Sequence, residues 1–128
     1  MATHSTFIVG AMFVSAALAS GAALADLPQQ MKTASTHAGM AANAPDLKGV
    51  QTHMKHVQNC LVGPAGQGFD ATAGNPCNGQ GQGAIPEAAD AATKMKLEAA
   101  LTKARATVGA SDLASAKQGA AEVASMLK

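Results

Sequence analysis

The sequence has no Trp and no Tyr, and of its three Phe only Phe69 lies beyond residue 25. A chain with so few rings offers no platform on which bases could stack. An excess of charge of one sign is also missing: nine Lys and Arg stand against eight Asp and Glu, all of them beyond residue 25. Near-neutrality excludes the basic footprint that drives binding to nucleic-acid phosphates. Beyond the N-terminal segment there is no long apolar run, so no later stretch is expected to cross a membrane. The enzyme signatures are missing too. There is no HEXXH, and the Gly-rich "GQGQG" at 79–83 lacks the Lys and Ser/Thr of a P-loop and follows no expected strand. Nothing in the chain gathers Ser, His and Asp into a triad, and the expectation is a protein that is not an enzyme.

What is present begins with export. "FIVGAMFVSAAL" (7–18) is an apolar core of signal-peptide length, and "ALA" at 23–25 has the small-x-small form of a cleavage site. Residues 1–25 are therefore expected to be a signal peptide and 26–128 a single helical domain in the periplasm or outside the cell. One feature departs from the pattern: only His4, and no Lys or Arg, precedes the apolar run. An uncleaved anchor is the alternative, but the run is short for a span and broken by Gly and Ser. After cleavage no stable membrane insertion is expected. Cys60 and Cys77 are the only cysteines, and two cysteines in an exported chain most often pair. Thiolate ligation or a redox pair is the other reading of them, although they lack the close spacing of a redox-active motif.

Four helical segments stand out. The first covers about 27–43, with Pro28 in its first turn and Leu27, Met31, Ala34, Ala38 and Ala41 on one face. The second covers about 46–61, with Asp46 as its N-cap or a first-turn anion and with Leu47, Val50, Met54, Val57 and Leu61 in a three-four seam. The third is expected over 86–108, with Pro86 in its first turn and Leu97, Leu101, Ala104 and Val108 as its stripe. The fourth starts at Ser111 as N-cap and carries Leu113, Ala116, Ala120, Val123 and Leu127. Between the second and third lies a loop, 62–85, with seven Gly and two Pro. A loop this long is usually functional, disordered or tied down; Cys77 is the tie, and Phe69 is expected to tuck onto the bundle. The fold class is all-α: a small four-helix bundle, or two helical hairpins joined by a long Gly-rich loop tied by a disulfide. No repeat of fixed period is evident. An Ala-rich seam buries little area, so a disulfide, a metal or self-association would help such a domain.

The chemistry-bearing residues gather in "HMKHVQNC", 53–60. At about 100° per residue, Gly49, His53, His56 and Cys60 form a second stripe roughly 90° round from the seam. His37 and Met40 flank the apolar face of the first helix in the same way. Asn43-Ala44-Pro45 is a short connection that favours an antiparallel hairpin, and it puts His37 level with Thr52 and His53. The two flanking stripes must then face each other or both point away, according to the hand of the hairpin. If they face, His37, His53 and His56 converge with Met40 close by. Imidazole suits Zn(II), Cu(II) and Ni(II), and thioether suits Cu(I); three imidazoles are also the ligand count of one class of catalytic zinc site. The plainer reading is that His53 and His56 are solvated residues on an exposed face. Met31, Met54 and Met126 read as core filler and Met95 as exposed.

The stretch "HMKHVQNCLVGPAGQGFDATAGNPCNGQGQGAIP" resembles a block in small exported bacterial proteins of uncharacterised function, in which a His-rich helix ends in NCLVGP and is followed by NPC. The resemblance covers about a quarter of the chain and implies export and a disulfide-closed loop. Lys55 stands between the two histidines, which argues against a polyhistidine metal sponge. Two functions follow as expectations. One is a periplasmic protein that binds a transition-metal ion through His37, His53 and His56 with Met40, for buffering or delivery. The other is a metal-free structural or interaction module, whose partner is a second copy or another envelope protein.

Overall fold

The computed structural model describes residues 25–128. The expected signal, 1–25, therefore lies outside the described residues except for Ala25. Five helices and no strand occur among the described residues: α1 Leu27–Ala42, α2 Leu47–Val62, α3 Ala84–Glu87, α4 Ala91–Val108 and α5 Leu113–Met126. The four long helices form the bundle.

Their starts share one device. Asp26, Asp46, Asp90 and Asp112 are N-caps whose carboxylates accept from the backbone N–H groups of Gln29 (3.0 Å), Gly49 (2.7 Å), Thr93 (2.7 Å) and Ser115 (2.8 Å). Each satisfies one of the donors that a helix leaves open at its start. This corrects two expectations. The third helix does not run unbroken from Pro86, which instead lies in the single turn of α3. Asp90 caps Thr93 and also accepts from its hydroxyl at 2.8 Å. Asp90 and the extended Ala88 before it therefore restart the helix at Ala91. The last helix is capped by Asp112 rather than Ser111: its first helical residue is Leu113, so Asp112 is the flanking position, and its carboxylate accepts from the N–H of Ser115.

Helix α1 packs on α2 and α5, and α4 completes the ring by packing on α2 and α5. Neighbours run antiparallel. Gln51, early in α2, donates to the carbonyl of Val108 at the end of α4 (3.1 Å), and Ser35 of α1 donates to that of Ala124 late in α5 (3.4 Å). The shared core holds Met54, Leu61, Leu97, Val50, Val57 and Val123, fully buried among alanines 34, 38, 41, 100, 104, 116 and 120. The expected seams of α1, α2 and α5 are the buried faces. In α4 the face is rotated slightly: Ala100 and Thr107 are buried with Leu97 and Ala104, while Leu101 and Val108 are only partly covered.

The long loop is built, not slack. Cys60 and Cys77 form a buried disulfide with Cα atoms 5.2 Å apart. Gln30, fully buried on α1, accepts from the N–H of Gly83 (3.0 Å) and donates to Glu87. The loop's two ends pass each other at Gly63 and Gly83. Gly63 has φ +73°, and a Cβ there would stand 1.7 Å from the Gln82 carbonyl oxygen, so only glycine fits. Phe69 is partly buried and stays outside the apolar cluster, against expectation. Its turn is held by polar bonds instead. No described helix is long and apolar enough to cross a membrane.

Candidate metal centre

The short link from Asn43 to Asp46 brings α1 and α2 side by side, and their flanking stripes face each other. His37 Nδ1 lies 3.2 Å from His53 Nδ1 and 3.3 Å from His56 Nδ1. The ring centroids are 4.8 to 5.8 Å apart, and each of the three offers a ligand nitrogen within 4.8 Å of the others. All three side chains are half-buried at the edge of the α1–α2 interface.

The loop reaches this site from the other side. His56 Nε2 sits 2.6 Å from the carbonyl oxygen of Ala73. A carbonyl can only accept, so this nitrogen carries the proton, and a neutral His56 presents its lone pair at Nδ1 toward His37. Ala73 belongs to a turn closed by Asp70, whose Oδ1 accepts from the N–H groups of Thr72 (3.0 Å) and Ala73 (3.3 Å) and from the Thr72 hydroxyl (2.6 Å). Asn59, fully buried one turn below His56, bonds this turn three times. Its Nδ2 donates to the carbonyls of Asp70 and Gly74, both at 2.7 Å, and its Oδ1 accepts from the Asp70 N–H at 2.8 Å. Lys55 pairs with Asp70 at 3.1 Å. The Thr72 hydroxyl and the Lys55 ammonium hold the Asp70 carboxyl at about 2, well below its ordinary range.

Electrostatics keep two of the imidazoles, those of His37 and His53, available. Burial, then the neighbouring His56 and His53 rings, lowers the pKa of His37; burial, then His56, lowers that of His53. Neutral imidazole is the form that ligates metals. Without an ion, three Nδ1 atoms this close compete for at most a few protons. A cation at their centre would take all the lone pairs at once. For metal–nitrogen bonds of about 2.0–2.1 Å, two ligands of a tetrahedral site are about 3.3–3.4 Å apart; the observed 3.2 and 3.3 Å fall beside that value.

The expected site residues therefore divide. His37, His53 and His56 come together. Met40 is 47% exposed and makes no hydrogen bond with the three rings among the described residues. Cys60, on the histidine stripe by sequence, is buried in the disulfide with Cys77 and has no free thiolate. Lys55 is turned to Asp70. Sequence reasoning missed Ala73 and Asn59, because a backbone carbonyl has no sequence signature and Asn59 reads as one more polar residue near a helix end. Two grooves among the described residues lie away from the three rings. One of about 600 Å³ lies among α1, α4 and α5 at Met31, Lys96 and Leu127, and one of about 480 Å³ lies between the loop and α4 at Ile85, Leu101 and Arg105. Neither includes a histidine.

No family model, curated protein or solved structure matches this chain.

Proposed function

We propose that this chain is a small exported protein, periplasmic or secreted, that binds one transition-metal ion through the Nδ1 atoms of His37, His53 and His56. The convergence of these three atoms to 3.2 and 3.3 Å carries the reading. Zn(II) is the best match to that spacing, with Cu(II) and Ni(II) as competitors for an all-imidazole set. The fourth position goes to water, to a donor on another molecule, or to Met40 one turn beyond His37. An open position on an exposed edge suits buffering or hand-over of the ion, with no reaction at the metal. The disulfide, and the apolar segment ending in Ala23-Leu24-Ala25, support the compartment.

Calorimetric titration of residues 26–128 with Zn(II), Cu(II) and Ni(II) tests this. Micromolar or tighter binding by the wild type, lost in the His53→Ala/His56→Ala double variant, is the expected result. Equal binding by that variant rejects it.

A further inference from the structure

The metal centre has a second layer that lies on the loop. Asn59 is fully buried, and the three hydrogen bonds of its amide all go to one turn. That turn makes one hydrogen bond with the histidine cluster, the 2.6 Å bond between the Ala73 carbonyl and His56 Nε2. Asn59 sits three residues after His56 on the same helix, so the helix carries both the ligand and the residue that holds its acceptor. The disulfide begins at the next residue, Cys60, and closes the loop beyond the turn. A ligating imidazole almost always gives its other N–H to a carbonyl or carboxylate, and removing that acceptor weakens metal binding.

We propose that Asn59 is a positioning residue of the metal centre: by clamping residues 70–74 to α2 it seats the Ala73 carbonyl on His56 and directs the His56 Nδ1 lone pair into the cluster. The affinity consequence rests on the metal reading above; the choice of tautomer does not. The clamp makes His56 an Nδ1 ligand before any ion arrives. His37 and His53 have no such carbonyl partner among the described residues, so His56 is the pre-set member of the three.

Gln30 supplies an internal control. It anchors the other half of the same loop through Gly83 and Glu87 and touches no histidine. Asn59→Asp keeps an oxygen for the Asp70 N–H but loses the two donated bonds. The test combines nitrogen-15 NMR of the histidine rings in metal-free protein with Zn(II) titration of the wild type, Asn59→Asp and Gln30→Ala. In the wild type His56 should be protonated at Nε2. Asn59→Asp should mix the tautomers and weaken Zn(II) binding roughly 10–100-fold. Gln30→Ala should keep the tautomer and bind Zn(II) within about twofold of wild type. A wild-type His56 protonated at Nδ1 overturns the proposal, whether or not Asn59→Asp folds. Equal Zn(II) loss in Gln30→Ala also overturns it, since loop anchoring in general would then suffice. Zn(II) binding by the wild type that is unchanged in Asn59→Asp removes the positioning role and leaves the metal reading intact. No Zn(II) binding by the wild type, with His56 still protonated at Nε2, removes the metal reading and leaves the clamp.

Discussion

The α1–α2 hairpin and the α4–α5 hairpin have the same register. Each has a four-residue link ending in an Asp cap, 43–46 in the first and 109–112 in the second. Counted from the links, buried positions coincide: Ala34 with Ala100, Ala38 with Ala104, Val57 with Val123, Leu61 with Leu127. The flanking positions coincide as well. His37 and His56 in the first correspond to Lys103 and Glu122 in the second, and both pairs are in contact. His53 corresponds to Gly119, which lies against Thr107. Register and hand thus decide that these positions meet, and the residues placed there decide what the meeting does. One hairpin spends it on an ion pair in solvent, the other on three imidazoles under a loop.

Several changes would break or sharpen that comparison. The largest effect concerns the tie that only the first hairpin has. Replacing Cys60 and Cys77 by Ser should cost on the order of 3 kcal/mol in the chain-entropy account, read by urea denaturation. Hydrogen exchange should rise first in residues 63–83 and α2, and least in α4–α5. Next, His37→Lys with His56→Glu gives the first hairpin the second one's pair. Zn(II) affinity should fall at least 100-fold, about 2.7 kcal/mol, with little change in melting temperature. Gly119→Ala should cost about 1–3 kcal/mol through overpacking, because its Cβ would sit 2.4 Å from the Thr107 hydroxyl oxygen. The matching change in the first hairpin, His53→Ala, removes a half-buried ring and should cost less in metal-free protein.

Acid should separate the hairpins further. In the unfolded chain His37 and His53 take up protons near 6.5; in the native protein burial and neighbouring rings delay this to lower pH. The unfolded state then holds more protons in that window, so metal-free stability rises with pH across it and falls on acidification. Glu122, held down by Lys103, gives way only in the carboxylate range. Melting temperature should fall between pH 7.5 and 5.5 in the wild type and stay flatter in His37→Gln/His53→Gln. The smallest effect is that of Lys103→Ala, whose ion pair is solvent-exposed and should contribute little.

Much of this was legible in the sequence. The Met54 and Val57 seam, the Asp46 cap and the Cys60–Cys77 tie follow from spacing and compartment chemistry. The restart at Ala91 was not, because Pro86 is as acceptable in a one-turn helix as at the start of a long one. The shared register was hidden by its chemistry: beyond the Ala, Asp, Val and Leu positions, little but spacing repeats. Lys103 and Glu122 did carry a signal, since complementary charges at matched flanking positions favour the hand in which the flanks meet.

The sequence by itself determined four long helices, the level at which His37 passes His53 and His56, and most of the apolar seams of α1, α2 and α5. Helical period and link length set those, and both are local. Whether the imidazoles converge was decided only by the tertiary structure. The two hands of a hairpin keep the same levels but put the flanking stripes on meeting or opposite sides. The choice comes from how α4, α5 and the disulfide-closed loop pack around the pair, and the same packing sets the Ala73 carbonyl on His56.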